Sequence, residues 1–252
     1  MTDKMKVVVV GASTGLGRCL GIGLAQRGAQ VAMLARRHEM IANAVTEAGP
    51  GAIAIRCDVT DEAGCAAAIE QAAQSLGGID AVVYCPGIGE LRRIEDLDAA
   101  TWHRVFATNV VGASTVAAAA LPHLCSSSGT IAFLTSISAS LTSPWPGLAS
   151  YTVTKAALDR LVDAWRVEHP EVGFTRVIVG ECGGGEGDAT SHFTATWDPA
   201  IAGEMYPIWM ARGLLTDKLM DVEHFIDAVD HVLHCGASAT IPTIAITPRR
   251  PI

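Results

Sequence analysis

The sequence predicts one α/β domain, a doubly wound parallel sheet of about seven strands with helices on both faces. Short β-branched runs alternate with longer Ala- and Leu-rich stretches whose apolar residues have helical spacing. Each candidate strand is an almost continuous apolar run, which is typical of parallel strands that are buried on both faces. The 252 residues contain no internal repeat and no low-complexity linker, so a single domain is expected over 1–252.

Glycine-containing turns separate the elements of the first half. The apolar run 6–10 predicts the first strand, and the helix that follows it ends before the Gly-Ala pair at 28–29. A Gly-Pro-Gly turn at 49–51 precedes the third strand, and a Gly pair at 77–78 precedes the fourth. The strands predicted here are 6–10, 30–35, 52–57 and 80–85. The helices predicted here are 15–27, 38–48 and 61–76.

The second half continues the alternation, except for one segment. The predicted helices are 101–124, 150–168 and 222–234, and the predicted strands are 130–136, 174–179 and 240–246. Segment 183–219 is Gly-rich at first and irregular afterwards, and long pieces without periodicity tend to be lids or binding loops. We therefore expect a substrate-binding lid over 183–219. Its large apolar residues either line an apolar substrate pocket or form a small capping core; they are Trp197, Met205, Tyr206, Trp209 and Met210.

Composition and charge exclude several classes of function. Acidic residues outnumber basic residues by 26 to 18, and the net charge of −8 disfavours a nucleic-acid surface or a polybasic membrane patch. The longest apolar stretch, 110–124, contains Pro122 and follows Asn109, so a buried helix is expected there and not a membrane span. The seven cysteines form no CxxC pair, so no metal site is expected. We expect a cytoplasmic protein with no nucleic-acid or membrane partner.

A glycine-rich turn follows the first strand and opens the first helix. The turn reads Gly-Ala-Ser-Thr-Gly-Leu-Gly over 11–17. Glycines at such positions allow a tight turn, a close approach of the backbone to a pyrophosphate, and close packing of helix against strand. Free N–H groups at the start of the helix would bind the phosphates. The turn predicts a dinucleotide site formed by Gly11, Ser13, Thr14, Gly15, Leu16 and Gly17.

Further features follow this GxxxGxG turn in a fixed order. Asp58 follows the third strand, Asn109 lies in the long helix, and Ser138 follows the fifth strand. Tyr151 and Lys155 form a YxxxK pattern, and Tyr151 comes 13 positions after Ser138. In this order and spacing, and over nearly its whole length, the chain resembles the compact single-domain type of the short-chain dehydrogenase/reductase family, which has a Rossmann sheet.

The resemblance implies an oxidoreductase that transfers hydride between a nicotinamide and a carbonyl or secondary alcohol. Tyr151 would donate the proton, and Lys155, four residues away on the same helix face, would help to lower the pKa of the phenol. Ser138 would hold the substrate oxygen, and Asn109 would anchor a water that links Lys155 to solvent. The resemblance also implies a homodimer or homotetramer, because relatives commonly pair through the two long helices.

The residues after the second strand predict the choice of cofactor. NAD-preferring proteins place an acidic residue there to bind the ribose 2′-hydroxyl, whereas this chain has Ala35. Arg36 is expected to contact a 2′-phosphate, and Arg37 to strengthen the positive field. We therefore expect NADP(H) to be preferred over NAD(H). The other cofactor-binding residues that the resemblance implies are Asp58, Val59, Gly87, Tyr151, Lys155 and Gly183.

Two departures from the family pattern leave other functions open. The usual Asn-Asn-Ala-Gly is Tyr-Cys-Pro-Gly at 84–87, and the usual Pro-Gly is Cys-Gly at 182–183. The substrate is a small carbonyl or alcohol, expected to be apolar. One alternative is a 3-oxoacyl-thioester reductase, and another is a catalytically idle dinucleotide sensor. Retention of Ser138, Tyr151 and Lys155 speaks against the sensor, because binding alone would not require all three.

Overall fold

The computed structural model describes residues 4–185 and 187–249 and shows one parallel sheet of seven strands. Residues 1–3, 186 and 250–252, which the predicted domain or lid includes, lie outside this description. The strands are β1 (Lys6–Val10), β2 (Gln30–Ala35), β3 (Ala52–Arg56), β4 (Ala81–Tyr84), β5 (Thr130–Ser136), β6 (Gly173–Val179) and β7 (Thr243–Ile246). Their order across the sheet is β3-β2-β1-β4-β5-β6-β7. The predicted doubly wound parallel sheet is confirmed.

Helices cover both faces of the sheet, and each face has its own apolar core. The α-helices are α1 (Gly15–Gln26), α2 (His38–Ala48), α3 (Glu62–Leu76), α4 (Ala99–Phe106), α5 (Gly112–Ser127), α6 (Ile137–Ser140), α7 (Ala149–Glu168), α8 (Pro199–Ala211) and α9 (Val222–Leu233). Helices α3, α5 and α7 pack on one face, around Phe133 and Phe174. Helices α1, α2 and α9 pack on the other, around Met33 and Phe225. Burial on both faces explains why the strands are continuous apolar runs.

The long helix predicted over 101–124 is not a single regular α-helix. A π turn, Ala107–Val111, separates α4 from α5 and places Asn109 in its middle. The helix also begins earlier than predicted, because the Asp98 carboxylate accepts a hydrogen bond from the Thr101 N–H and caps it. The whole helical stretch, Ala99–Ser127, is long and apolar enough to cross a membrane by length and composition alone. In this fold it packs against α3 and α7.

The prediction of an irregular segment at 183–219 is wrong for its second half, where α8 lies. Asp198 caps this helix by accepting from the Ala200 N–H, and Pro199 occupies its first turn. Met205 and Trp209 of α8 are buried in a third apolar cluster, together with Leu91 and Trp145. The sequence did not predict this helix because its own apolar residues lie on most of its sides and Pro207 lies inside it. Its sequence therefore shows no amphipathic period.

Candidate active site

One large cavity opens at the carboxyl ends of the strands, where the strand order reverses between β1 and β4. Ligands of doubly wound sheets bind at such a point, because the loops after the two strands diverge there. The cavity has a volume of about 980 Å³, and ligand sites commonly measure about 300–1,000 Å³. Among the described residues that line it are those after β1, β2, β4, β5 and β6.

The glycine-rich turn forms one wall of this cavity. Gly11 and Gly15 have φ angles of +82° and +57°, which strain any residue with a side chain. A Cβ on Gly17 would lie 2.3 Å from the Gly11 carbonyl oxygen, so only glycine fits between helix and strand. Thr14 precedes α1 without capping it through its side chain, so N–H groups at the start of α1 have no cap from that residue. This cradle suits the pyrophosphate of a dinucleotide.

Arg37, which follows β2, lies against the glycine-rich turn. Its Nη2 donates to Ser13 Oγ at 2.8 Å and to Thr14 Oγ1 at 3.0 Å. Its Nη1 lies 2.5 Å from Nδ1 of His192. Burial and the neighbouring Arg36 lower the pKa of Arg37 from its ordinary value. Arg36 also lines the cavity. However, Arg37 is the arginine that bonds the glycine-rich turn, whereas the sequence predicted the main contact from Arg36.

Asp58 and Val59 line the cavity beyond the end of β3. The Asp58 carboxylate accepts from the Thr60 N–H at 3.0 Å and from the Thr60 hydroxyl at 2.7 Å. Burial would raise the pKa of Asp58, but the two hydrogen bonds from Thr60 and the charge of Arg36 outweigh it and lower the pKa. Asp58 is therefore an ionised turn residue whose charge faces Arg36 and the cavity.

Lys155 and Tyr151 lie one turn apart on α7 and share the opposite wall. The Lys155 ammonium donates to the Leu134 carbonyl at 2.7 Å and lies 5.7 Å from the centre of the Tyr151 ring. Burial lowers the pKa of Lys155 to about 8, because the charged form loses its hydration. Burial also raises the pKa of Tyr151, an effect that a hydrogen bond with Ser136 opposes. The phenol is therefore neutral and able to donate a proton.

Two serines near the end of β5 line the same cavity as this pair. Ser138 is the second residue of α6, and its hydroxyl oxygen lies 3.0 Å from that of Ser136, the last residue of β5. Ser136, Ser138 and Tyr151 all line the cavity, and Ser136 is near enough to Tyr151 to lower the pKa of its phenol. The sequence reasoning missed Ser136. Its two-residue spacing from Ser138 at a strand end was the available signal, because such residues tend to share one side of a strand.

Asn109 lies next to the site without lining the cavity. Its Oδ1 accepts from the Ile88 N–H at 2.9 Å, and its Nδ2 donates to the Ile88 carbonyl at 2.9 Å and to Thr154 Oγ1 at 2.8 Å. The amide thus fixes the loop after β4 to α7. In this structure Asn109 positions the loop, and the role in a water relay rests on the resemblance alone.

Comparison with known proteins identifies the family of the chain. A family model described as short chain dehydrogenase matches residues 5–196, well over half of the sequence. The chain belongs to the short-chain dehydrogenase/reductase family. Members are oxidoreductases that bind a nicotinamide dinucleotide, and the glycine cradle, the start of α1 and the Arg37 cluster fit such a cofactor.

Similar proteins include two curated relatives and one solved structure. The chain is 31% identical over 180 residues to 11-beta-hydroxysteroid dehydrogenase A of Sesamum indicum, covering 69% of the chain but 51% of that protein, about half its length. It is 33% identical over 170 residues to cis-4-hydroxycyclohexanecarboxylate dehydrogenase of Sinomonas cyclohexanicum, covering 66% and 68%. A short-chain type dehydrogenase/reductase from Mycobacterium marinum superposes with a TM-score of 0.82 at 25% identity, covering 96% and 94%.

The departures from the family pattern after β4 have structural reasons. Tyr84 is the last residue of β4 and is fully buried, and its hydroxyl donates to the Thr108 carbonyl in the π turn. Pro86 packs over the glycine-rich turn, where a Cβ on Gly11 would lie 3.0 Å from its ring. Gly87 faces Lys155, because a Cβ there would lie 3.1 Å from the ammonium nitrogen. This short-chain dehydrogenase/reductase therefore holds the loop after β4 in place without the asparagines.

The segment after β6 lies over the cavity in this family member. Glu181, Cys182 and Gly184 line the cavity, whereas Gly183 does not. Further along, most of residues 191–197 also line the cavity; we call these seven residues the lid. Among the residues that the structure describes, no group of three or more metal-ligating side chains is found.

Proposed function

We propose that the chain is an NADP(H)-dependent oxidoreductase that interconverts a carbonyl and a secondary alcohol. The observation that carries the proposal is that three hydroxyls, those of Ser136, Ser138 and Tyr151, line the same cavity as the glycine cradle. The buried ammonium of Lys155 lies beside them. When bound, the nicotinamide supplies or accepts the hydride. The side chains of this chain bind the substrate oxygen and move its proton.

Each hydroxyl has a role in the proposed reduction. Ser138 and Ser136 hold the carbonyl oxygen within reach of Tyr151, whose neutral phenol gives its proton to that oxygen. The ammonium of Lys155, fixed by the Leu134 carbonyl, stabilises the phenolate that remains. In the direction of alcohol oxidation the phenolate takes the proton back. A serine hydroxyl alone could not do this, since its oxygen is a far weaker acid than a phenol.

The proposed preference for NADP(H) is supported by the groups around Arg37. Arg37, Ser13 and Thr14 form one cluster of donors at the adenosine end of the cradle, and Ala35 provides no carboxylate for a free 2′-hydroxyl. A charge-assisted hydrogen bond contributes about 1.5–3 kcal/mol, which corresponds to roughly a 10- to 100-fold difference in affinity. Arg36 adds positive field and is partly compensated by Asp58.

The proposed substrate is an apolar molecule that carries a ring. A chain of aromatic contacts leads away from Tyr151, with centroid distances of 4.8 Å to Phe193, 5.3 Å from Phe193 to Trp197 and 6.0 Å from Trp197 to Trp209. Both indole N–H groups donate to backbone carbonyls, at Gly89 and Pro146, so these rings offer apolar surface. The curated relatives named above act, by their names, on hydroxyl groups of ring compounds. Of the five residues for which the sequence left a pocket or a capping core open, three line the cavity and one is buried in the third apolar cluster without lining it; they are Trp197, Tyr206 and Trp209, and Met205. The fifth, Met210, is 47% exposed.

A substrate panel tests the function. Steroid ketones, substituted cyclohexanones and a 3-oxoacyl thioester are each offered with NADPH and with NADH, and cofactor absorbance is followed. We expect NADPH oxidation with the ring ketones. Turnover only with the thioester would favour the acyl reductase, and tight NADPH binding without any turnover across the panel would favour the sensor.

A further inference from the structure

Two consecutive residues of the lid reach the two ends of the cavity. His192 contacts Arg37 at the adenosine end, and the ring of Phe193 packs edge-on against Tyr151 at the catalytic end. Ser191 lies over the glycine-rich turn, where a Cβ on Gly15 would come within 3.4 Å of its hydroxyl oxygen. The lid therefore connects Arg37, which bonds the glycine-rich turn, with Tyr151, the proposed proton donor.

The contact with Arg37 fixes the hydrogen-bonding state of His192. A guanidinium has only donors, so Nδ1 of the imidazole accepts the hydrogen bond from Arg37. In a neutral ring the hydrogen then lies on Nε2. His192 is one of the residues that line the cavity. His192 thus contributes one more hydrogen-bond donor to the cluster, beside the guanidinium of Arg37 and the hydroxyls of Ser13 and Thr14.

The charge around this cluster distinguishes the two arginines. Asp58 interacts with Arg36, whereas the charged group that acts on Arg37 is Arg36 itself. Within residues 4–185 and 187–249, no carboxylate forms an ion pair with Arg37. An uncompensated guanidinium beside two hydroxyls and an imidazole is suited to a dianionic phosphate.

We propose that His192 determines cofactor specificity by binding the 2′-phosphate of NADP(H) from the lid. The phosphate is bound by Arg37, by the hydroxyls of the glycine-rich turn and by the imidazole N–H of His192. Because His192 already contacts Arg37, the phosphate adds a second contact that holds the lid to this cluster. NAD(H), which has no 2′-phosphate, leaves this second contact unmade. The inference rests on the proposed NADP(H)-dependent function.

Trp197 and Phe193 explain why one contact at His192 can hold the whole lid. The Trp197 indole donates to the Gly89 carbonyl at 3.0 Å, and its ring packs edge-on against Phe193. These contacts anchor this end of the lid to the loop after β4. At the other end of the lid, His192 contacts Arg37 and Ser191 lies over the glycine-rich turn, so a phosphate bound by Arg37 acts directly on the position of this end.

Dissociation constants for NADPH and NADH test the proposal in the intact protein, wild type and variants. His192→Ala should weaken NADPH binding about 10-fold and NADH binding by much less, so that the ratio of the two constants falls. His192→Gln, which keeps an amide donor near the position of Nε2, should restore part of the ratio. His224→Ala, an exposed histidine of α9, is the matched control and should change neither constant.

Hydrogen exchange of the lid amides provides a second readout that does not depend on the nicotinamide. Adenosine 2′,5′-bisphosphate, at concentrations above its dissociation constant, should protect residues 191–197, whereas 5′-AMP should not. His192→Ala should abolish that protection. The variant should nevertheless unfold at the same temperature as the wild type.

The possible failures are distinguishable. Equal affinities of the wild type for NADPH and NADH would overturn the proposed NADP(H) preference, and the role of His192 with it. A wild type that prefers NADPH, with a His192→Ala variant whose ratio is unchanged or whose two constants rise equally, would overturn the role of His192 alone. Equal lid protection by both nucleotides would also overturn it.

Discussion

At the residue scale, Lys155 carries a buried charge that affects both the stability of the protein and the proposed chemistry. Its ammonium is almost fully buried and is held by backbone carbonyls, with Leu134 the nearest. This burial lowers its pKa, so the folded protein maintains the charge at a cost in stability. In the proposed mechanism the same charge stabilises the Tyr151 phenolate, so stability and the proposed catalysis depend on this group in opposite directions.

This conflict predicts a pH-dependent difference in stability between the wild type and Lys155→Met. Below pH 8 the folded and unfolded chains both hold the lysine proton, and between about 8 and 10.5 only the unfolded chain does. The free energy of unfolding of the wild type, relative to the variant, should therefore rise by up to about 3 kcal/mol across that window. Urea denaturation at a series of pH values measures it. Parallel curves for the two proteins would show that Lys155 has an ordinary pKa.

Ser136 provides a second prediction at this scale. Ser136→Ala removes the hydroxyl that lowers the pKa of Tyr151 and contacts Ser138, and it should lower kcat about 3- to 10-fold with NADPH affinity unchanged. Ser140→Ala is the matched control, because the Ser140 hydroxyl bonds to Asp159 and not to Tyr151. A Ser136 variant as active as the control would restrict Ser136 to a structural role.

The sequence predicted the residue types of the site better than their contacts. The YxxxK pattern and the glycine-rich turn are local, so their geometry follows from helix and turn rules. Which of Arg36 and Arg37 contacts the turn depends on side-chain direction after β2 and on Asp58, a residue of another element. The contribution of His192 depends on how a distant segment packs, for which the sequence has no periodic signal.

At the scale of the elements, the π turn around Asn109 makes one side chain responsible for joining three elements. Asn109 connects the helix α4–α5 to the loop after β4 and to Thr154 of α7. A hydrogen-bond shift inside a helix has no signature in apolar spacing, which is why the sequence predicted one uninterrupted helix. The helices and strands with clear periods, in contrast, were predicted to within a few residues.

Asn109→Ala should lower both the free energy of unfolding and the rate of turnover. The substitution leaves the Ile88 backbone and the Thr154 side chain without these hydrogen bonds, at a cost of about 1–3 kcal/mol for each unsatisfied group. Urea denaturation measures the loss, and Asn43→Ala, an exposed position on α2, should change the free energy of unfolding by less than about 0.5 kcal/mol. If the two variants were equally stable, the amide would not fix the loop.

At the scale of the whole molecule, the reversal of strand order between β1 and β4 brings the two halves of the site together. The glycine-rich turn follows β1, whereas Ser138 follows β5 and Tyr151 lies on the next long helix, more than a hundred residues along the chain. Parallel strands place all these loops at one edge of the sheet. Alternation of strand and helix was enough to predict this arrangement from the sequence.

The two long helices lead to a prediction about assembly. We propose a homodimer or homotetramer formed through α4–α5 and α7, where Val111 and Val153 are 59% and 45% exposed. Val153→Glu should shift the sedimentation of the protein towards monomer at micromolar concentration. Ile94→Glu, an exposed position outside both helices, is the control and should leave the assembly unchanged. A wild type that sediments only as a monomer would refute the proposal.

The central claim, that Tyr151 is the proton donor of a carbonyl reductase, is tested most directly by one comparison. NADPH-dependent reduction of a ring ketone is measured for the wild type and Tyr151→Phe, beside the NADPH dissociation constant of each. The account predicts that kcat falls about 10²- to 10⁴-fold in the variant while the dissociation constant stays the same. A variant that turns over as fast as the wild type would contradict it.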